Sequence, residues 1–237
     1  MIIDMHMHEM RYSSDSHLYL EQMVAIARSR GLDAICITDH DHMGLKEFAE
    51  EYSRAVDFRI FVGVESYTLQ GDIVAFGIDK YPRKRINAQD FIDNVHAEGG
   101  ICFSAHPWRN NRRGLENALD SVKDLDGIEV LNGSTFLDAN LKAVHYAQKY
   151  DLATIASSDC HVPQKLGIYA TYFPNTINTV DELIIAVKNR ETKPVYYKDN
   201  SYHSWDMKSE IDAPFNIEEI SNNIHVPKYI PSWEQAI

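Results

Sequence analysis

The sequence predicts an α/β protein whose parallel sheet closes into a barrel. Three observations predict this fold. Short apolar runs alternate with amphipathic helical patterns along the chain, which is typical of parallel sheets. The run Ala34–Ile37 is apolar throughout, as in a strand buried on both faces. No linker or internal repeat interrupts the series, so a single domain is expected.

The elements follow in chain order. Strand Ile2–Met5 precedes helix Leu18–Arg30, whose apolar residues share one face and which Gly31 ends as a C-terminal cap. The tail from Asp199 loses this regularity. The sequence therefore predicts a barrel over 1–198 and an irregular extension over 199–237 that packs on the barrel or on a partner. The other predicted elements are strand Ala34–Ile37, helix Leu45–Ala55, strands Ile60–Val64 and Asp72–Ile78, helix Ala88–Glu98, strand Ile101–Ala105, helix Leu115–Leu125, strand Ile128–Leu131, helix Ala139–Tyr150, strand Ala153–Ala156, helix Val180–Asn189 and strand Pro194–Tyr197.

Composition limits the partners. The 237 residues carry a net charge of −12, which argues against binding long nucleic acid through phosphate neutralisation. Three cysteines do not make a disulfide framework. Acidic Asp4 and two histidines interrupt the N-terminal apolar run, so no signal peptide is expected. No run approaches the ~20 apolar residues of a membrane span. A cytoplasmic protein without a membrane partner is expected; the oligomeric state is left open.

Polar residues that bind metals follow many of the predicted strands. Alternation along the first strand places Asp4, His6 and His8 on one side. In parallel α/β folds, chemistry gathers where the strands end. The repeated placement therefore predicts a site for several metal ions. The other strand-end residues are Thr38 to His42, Glu65, His106 and Ser157 to His161.

These motifs together resemble the PHP (polymerase and histidinol phosphatase) superfamily. The matching motifs are Asp4-x-His6-x-His8, Thr38-Asp39-His40-Asp41, Gly63-Val64-Glu65, Ala105-His106-Pro107 and Asp159-x-His161. The resemblance covers about the first 200 residues. It implies a distorted, TIM-like (β/α)7 barrel that holds two or three divalent metal ions and hydrolyses phosphate esters.

The resemblance also implies roles for individual residues. His6, His8, Glu65 and Asp159 would bind one metal, and Glu65 would bridge to a second metal held by His106. A third site would use His40 and His161 with Asp15, for which His17 is a competitor. Mixed carboxylate and imidazole ligands suit zinc, manganese or iron.

One position departs from the family pattern. Small members carry a further histidine within the segment 71–77, and the matching residue here is Val74. The second metal would then lack a ligand unless another residue replaces it. The candidates are His42, Asp72 and Tyr67.

The function expected is a metal-dependent phosphoesterase. A metal-bound hydroxide would attack the phosphorus of a small phosphorylated metabolite or nucleotide, with Glu65 and His106 as catalytic residues. Arg109, Arg112 and Arg113 follow His106, and guanidinium groups bind phosphate through paired hydrogen bonds.

Two other functions stay open. The first is a metallohydrolase of the amidohydrolase kind, which uses the same activated water on C–N or C–O bonds. The second is a non-catalytic module that binds metal or phosphate.

Overall fold

A computed structural model describes residues 1–206. Strands and helices alternate over most of this range, which confirms the α/β class. The strands are β1 (Ile2–Met7), β2 (Ala34–Ile37), β3 (Arg59–Val62), β4 (Val64–Tyr67), β5 (Asp72–Phe76), β6 (Ile101–Ser104), β7 (Gly127–Asn132), β8 (Ala153–Ser157), β9 (Tyr169–Tyr172), β10 (Lys193–Lys198) and β11 (Ser201–Ser204). The α-helices are α1 (Leu20–Ser29), α2 (Lys46–Val56), α3 (Ala88–Ala97), α4 (Leu137–Tyr150) and α5 (Val180–Lys188).

The strands form two mixed sheets. One has the order β11-β10-β9-β1-β2-β3 and the other the order β4-β5-β6-β7-β8. Isolated bridges join Met7 to Cys160 and His40 to Glu65, so the sheets approach each other at both of these points. Within residues 1–206 no closed barrel is found, and the predicted barrel closure is not confirmed.

The prediction of an all-parallel sheet is wrong. β1–β2–β3 and β6–β7–β8 are parallel, whereas β5 runs antiparallel to both of its neighbours and β9 runs antiparallel to β1 and β10. The reason is connection length, because a parallel crossover needs about a dozen residues or more. Only residues 68–71 separate β4 from β5, which is enough for a hairpin and too few for a crossover.

Buried apolar side chains hold the two sheets together. One core cluster takes residues from strands of both sheets, and it is called the shared core below. A second cluster lies beneath α1 and α2, and a third packs against α3 and α4. The strand residues of the shared core include Ile3, Met5, Ala34, Cys36, Phe61, Val74, Phe76, Ile101, Phe103 and Ile155.

Local sequence signals explain several element boundaries. Thr179 caps α5, because its side chain accepts the Glu182 amide at 3.1 Å while the Glu182 carboxylate accepts the Thr179 amide at 3.2 Å. Gly63 lies between β3 and β4, and it packs so closely that a Cβ there would lie 2.4 Å from the Ala75 carbonyl oxygen. The predicted strand over 60–64 therefore ends at Val62, and Val64 begins β4.

The predicted helix Leu115–Leu125 is wrong. Only a short 3-10 helix, Glu116–Asp120, forms in this segment. Glu116 itself has a φ of 48°, and its amide donates to the Pro107 carbonyl at 2.9 Å. The backbone thus bonds back to the start of the same β6–β7 connection instead of continuing an α-helix.

The start of the predicted C-terminal extension is regular. Asp199 and Asn200 both have positive φ, as a two-residue hairpin turn of the primed type requires, and they connect β10 to β11. The rest of the predicted extension, 207–237, lies outside the described residues, so the domain division stays a prediction. No helix within residues 1–206 combines the length and apolar character needed to cross a membrane.

Candidate metal centre

A β-bulge shapes the end of β1. The register between β1 and β2 shifts between Asp4 and Met7. Met5 lies in the shared core, whereas Met7 packs in the cluster beneath α1 and α2. The strand therefore changes face before its end, as bulges allow. This irregularity overrides the simple alternation that placed Asp4 with His6 and His8.

Asp4 serves the backbone instead of the site imidazoles. Its two carboxylate oxygens accept the amides of Ser158 and Gly167, each at 2.9 Å. The side chain is fully buried, and burial raises its pKa to about 7 despite these hydrogen bonds. Asp4 thus fixes the loop after β8 against β1, which helps to place Asp159.

The first group of site residues contains His6, His8, Glu65 and Asp159. The His6 and His8 Nε2 atoms are 3.0 Å apart. Asp159 Oδ1 lies 3.3 Å from His8 Nε2 and 3.7 Å from His6 Nε2. Glu65 Oε1 lies 3.5 Å from His6 Nε2. These four side chains are each at most 1% exposed, and ligand atoms of His6, His8 and Asp159 all lie within 4.8 Å of one another.

The second group contains Glu65, Asp72 and His106. His106 Nε2 lies 2.8 Å from Glu65 Oε1 and 3.7 Å from Asp72 Oδ2. Because β5 is antiparallel, its first residue, Asp72, lies where the parallel strands end. Val74 is buried in the shared core. Of the three candidates to replace the missing family histidine, the structure thus brings Asp72 to His106.

The third group contains Asp15, His40 and His161. Asp15 Oδ2 lies 3.3 Å from His40 Nε2 and 3.4 Å from His161 Nε2. The other nitrogen of His40, Nδ1, lies 2.6 Å from Glu65 Oε2, which joins this group to the others. His17 contributes its backbone, whose amide donates to the His161 carbonyl at 2.8 Å. His42 stacks on Tyr12 instead, with ring centroids 4.2 Å apart.

Glu129 and Asn132 hold several site residues, and the sequence analysis missed both. Glu129 Oε1 accepts His6 Nδ1–H at 3.0 Å, and Oε2 accepts the His106 amide at 2.7 Å. Asn132 Nδ2 donates to Glu129 at 2.9 Å and to Asp159 at 3.2 Å. The available signal was a carboxylate inside the apolar strand 128–131, followed directly by an asparagine.

A similar contact orients His8. Its Nδ1 lies 3.3 Å from Ser13 Oγ, which donates to Asp39 Oδ1 at 2.8 Å. Asp39 also accepts the Glu9 amide at 2.7 Å. Partners of this kind fix which nitrogen of a histidine is left to bind a cation, and for His8 that nitrogen would be Nε2.

The three predicted arginines differ in position. Arg109 Nη2 pairs with Asp159 and donates to Asn132 Oδ1 at 2.8 Å. Arg113 Nε donates to Asp72 Oδ2 at 2.6 Å. Arg112 instead lines a shallow surface pocket together with Gln70. The structure therefore brings two of the three predicted substrate-binding arginines to the site.

Burial and charge act against each other at the carboxylates. Burial alone would raise the pKa of Glu65, but the charge of His6 and hydrogen bonds from His106 and His40 hold it well below its usual value. Burial would also raise the pKa of Asp159. The charges of His6 and Arg109 outweigh this effect, so the pKa of Asp159 lies well below its usual range. Both groups are thus ionised at neutral pH.

Comparison with known proteins identifies relatives of this chain by sequence and by fold. A family model described as PHP-associated (PHP_C) matches residues 138–192, which include α4, β8 and the Asp159-x-His161 motif. This match supports the resemblance of the chain to the PHP superfamily. Two uncharacterized proteins of Methanocaldococcus jannaschii are also similar, one 23% identical over 46% of this chain and the other 26% identical over 77%. The matched segments span 64% and 75% of those relatives, so the first is matched over less than two thirds of its length.

Solved structures share the fold of this chain. A Bifidobacterium adolescentis protein provisionally described as a metal-dependent phosphoesterase has a TM-score of 0.61 at 17% identity, covering 78% of this chain and 96% of its own. An amidohydrolase from Chromobacterium violaceum, solved with sulfate and no metal, has a TM-score of 0.59 at 18% identity, covering 83% and 98%. The lesion-specific endonuclease of Pyrococcus furiosus has a TM-score of 0.56 at 17% identity, covering 79% and 56%. At these identities the likeness shows a common fold.

The side chains of this site fit divalent metal ions. The three groups supply imidazole nitrogens and carboxylate oxygens, the donors that zinc, manganese and iron accept. Asp72 Oδ1 is buried and has no hydrogen-bond partner within residues 1–206, as expected of an atom that awaits a cation. Burial and the nearby Glu65 charge raise the pKa of Asp72 to about 7, and a bound cation would remove this cost.

Proposed function

We propose that this protein is a metal-dependent hydrolase that cleaves phosphate esters of a small metabolite or nucleotide. One observation carries the proposal: Glu65 contacts residues of all three ligand groups, and Arg109 and Arg113 border these groups. Two or three divalent ions, with zinc, manganese or iron as candidates, would activate water and offset negative charge on the substrate.

The residues divide into roles. Glu65 would hold two neighbouring ions at a fixed separation, because its two oxygens face different imidazoles. Ions at the first group would use His6, His8 and Asp159, at the second His106 and Asp72, and at the third Asp15, His40 and His161. Glu129 would keep the His6 proton on Nδ1, which leaves Nε2 free to bind a cation.

The arginines favour a phosphate ester as the substrate. Arg109 and Arg113 each hold a site carboxylate in the structure described here. When cations bind those carboxylates, the guanidinium groups can turn to substrate oxygens. Guanidinium groups beside a cluster of cations suit phosphate groups, whose charge is spread over several oxygens.

A second candidate is a hydrolase of C–N or C–O bonds. The fold shared with the C. violaceum amidohydrolase favours it, and activated water serves either chemistry. The two candidates differ in the need for cationic side chains beside the substrate. The arginines at this site therefore place the phosphoesterase first.

The test compares wild type with Asp159→Ala, with Glu50→Ala, an exposed carboxylate on α2, as the control. Elemental analysis after gentle purification and after resupply of each metal should give two to three ions per chain in wild type and control, and fewer in Asp159→Ala. A panel of phosphomonoesters and nucleotides should release phosphate in wild type and control only. Metal binding with hydrolysis of amides or lactones alone would favour the second candidate. Fewer than two ions and no turnover of any kind would leave a non-catalytic binding module.

A further inference from the structure

Tyr67 lies next to the metal centre, farther out along the same strand face. It follows Glu65 by two residues on β4, so both side chains point to one side. Residues two apart on a strand are separated by roughly 6.6 Å. Tyr67 also pairs in register with Asp72 on β5. The phenol ring therefore borders the second ligand group directly.

Two arginines from different loops contact this ring. The guanidinium carbon of Arg113 lies 4.2 Å from the ring centroid, and that of Arg85 lies 3.6 Å from it. Both distances are within the range of cation–π contacts. Arg85 ends the basic run Arg83-Lys84-Arg85, which lies between β5 and α3.

The two guanidinium groups retain unused hydrogen-bond donors. Arg113 donates its Nε–H to Asp72, and within residues 1–206 its Nη atoms have no acceptor. Arg85 has neither an acidic partner nor a hydrogen-bond acceptor in the same part of the chain. The protein has a net charge of −12, yet two cationic side chains with free donors lie at one edge of the proposed phosphate site. Such groups favour binding of a negatively charged ligand.

We propose that Tyr67, Arg85 and Arg113 form a second anion subsite, and that the substrate carries a second phosphate group beside the one that is cleaved. This proposal rests on the proposed function. The first phosphate would lie at the ligand groups, and the second would lie about two strand residues away, roughly 6 to 7 Å. Tyr67 would hold the two guanidinium planes in place, so that less side-chain freedom is lost when the anion binds.

The test uses probes that cannot be hydrolysed. Calorimetry on the full, metal-loaded protein compares propylphosphonate with propane-1,3-bisphosphonate, which differ by one anionic group. We expect wild type to bind the bisphosphonate about tenfold or more tightly than the monophosphonate, as an added charge-assisted contact allows. In Arg85→Gln this ratio should fall below about threefold. Arg83→Gln, a change in the same basic run, should keep the wild-type ratio.

The outcomes separate the two proposals. Equal affinities of wild type for both probes, or an unchanged ratio in Arg85→Gln, would overturn the second subsite while phosphate release could still support the phosphoesterase. A bisphosphonate preference that depends on Arg85, without hydrolysis of any phosphate ester, would keep the subsite and overturn the phosphoesterase. If neither probe binds, the second subsite fails, and phosphate release from the ester panel alone decides the phosphoesterase.

Discussion

Glu65 shows how one side chain can join several binding groups. Its two oxygens lie 2.8 Å from His106 Nε2 and 2.6 Å from His40 Nδ1, and His6 Nε2 is 3.5 Å away. A carboxylate is the only protein side chain that can serve two cations through separate oxygens while carrying the charge that offsets them. The geometry of the site thus depends on how firmly each imidazole is held around Glu65.

Replacement of Glu129 tests this support. Glu129→Gln keeps the size of the side chain but removes the charge that favours a proton on His6 Nδ1. We expect metal affinity to fall by about 10- to 100-fold, as for other residues that orient ligand histidines. Competition with a chelator measures the affinity, and Glu50→Gln is the surface control. Unchanged affinity would show that His6 is oriented without Glu129.

Asp72 makes the stability of the metal-free protein depend on pH. Its pKa is about 7 when folded and near 3.8 when unfolded, so the folded chain holds an extra proton between these values. Stability contributed by this group therefore falls as pH rises from about 4 to 7. Asp72→Asn removes the titration. We expect metal-free Asp72→Asn to exceed wild type by roughly 1–3 kcal/mol at pH 8 and to match it near pH 4.

Urea unfolding after chelation measures this difference. Added metal should reverse the order at pH 8, because the ion binds the wild-type carboxylate and not the amide. Equal stability of the two metal-free proteins at pH 8 would mean that Asp72 is not held as a costly buried charge.

At the scale of elements, loops position the arginines and one histidine. The stretch that holds Arg113 folds back on the start of its own loop, which follows β6: a Cβ on Gly114 would lie 2.2 Å from the Pro107 carbonyl oxygen and 2.7 Å from that of His106. The Asp72 amide donates to the Arg113 carbonyl at 2.6 Å, which ties the same loop to β5. The close contact of Gly114 with the backbone of His106 and Pro107 thus holds Arg113 and His106 in place together.

Gly114→Ala should push the stretch around Arg113 away from His106 and Pro107. We expect a loss of about 1–3 kcal/mol in the free energy of unfolding, because backbone atoms and not a flexible side chain must move. Weaker metal binding should accompany the loss, since His106 would shift. Asn117→Ala, an exposed position in the same segment, is the control. Wild-type stability in Gly114→Ala would show that these two stretches move apart at no cost in free energy.

At the scale of the whole molecule, charge is divided unevenly. The chain has a net charge of −12, while Arg85, Arg109 and Arg113 lie around the proposed substrate site. A small anion meets only the local positive groups, but a long polyanion also meets the acidic remainder of the surface.

We therefore predict that long duplex DNA is not retained by the metal-loaded protein at physiological salt. Fluorescence anisotropy with a labelled duplex measures this, and a labelled mononucleotide phosphonate provides the comparison. Tight duplex binding that weakens steeply with salt would contradict the prediction and favour a polynucleotide substrate.

The sequence by itself determined the α/β class, most element positions and the residues that converge on the site. It could do so because apolar periodicity reflects burial, and because strand ends carried the polar residues. His6, His8, Glu65, His106 and Asp159 needed no structure to be singled out. Their roles as ligands remain proposals.

The tertiary structure decided what depends on chain direction and on distant contacts. The antiparallel course of β5 brings Asp72 instead of Val74 to His106, and the bulge in β1 turns Asp4 away from the imidazoles. Glu129 contacts His6, which is far away in the sequence, and Arg85 contacts the ring of Tyr67. A pattern read along one strand reports which side chains are buried, but only the packing of strands and loops decides which side chains meet.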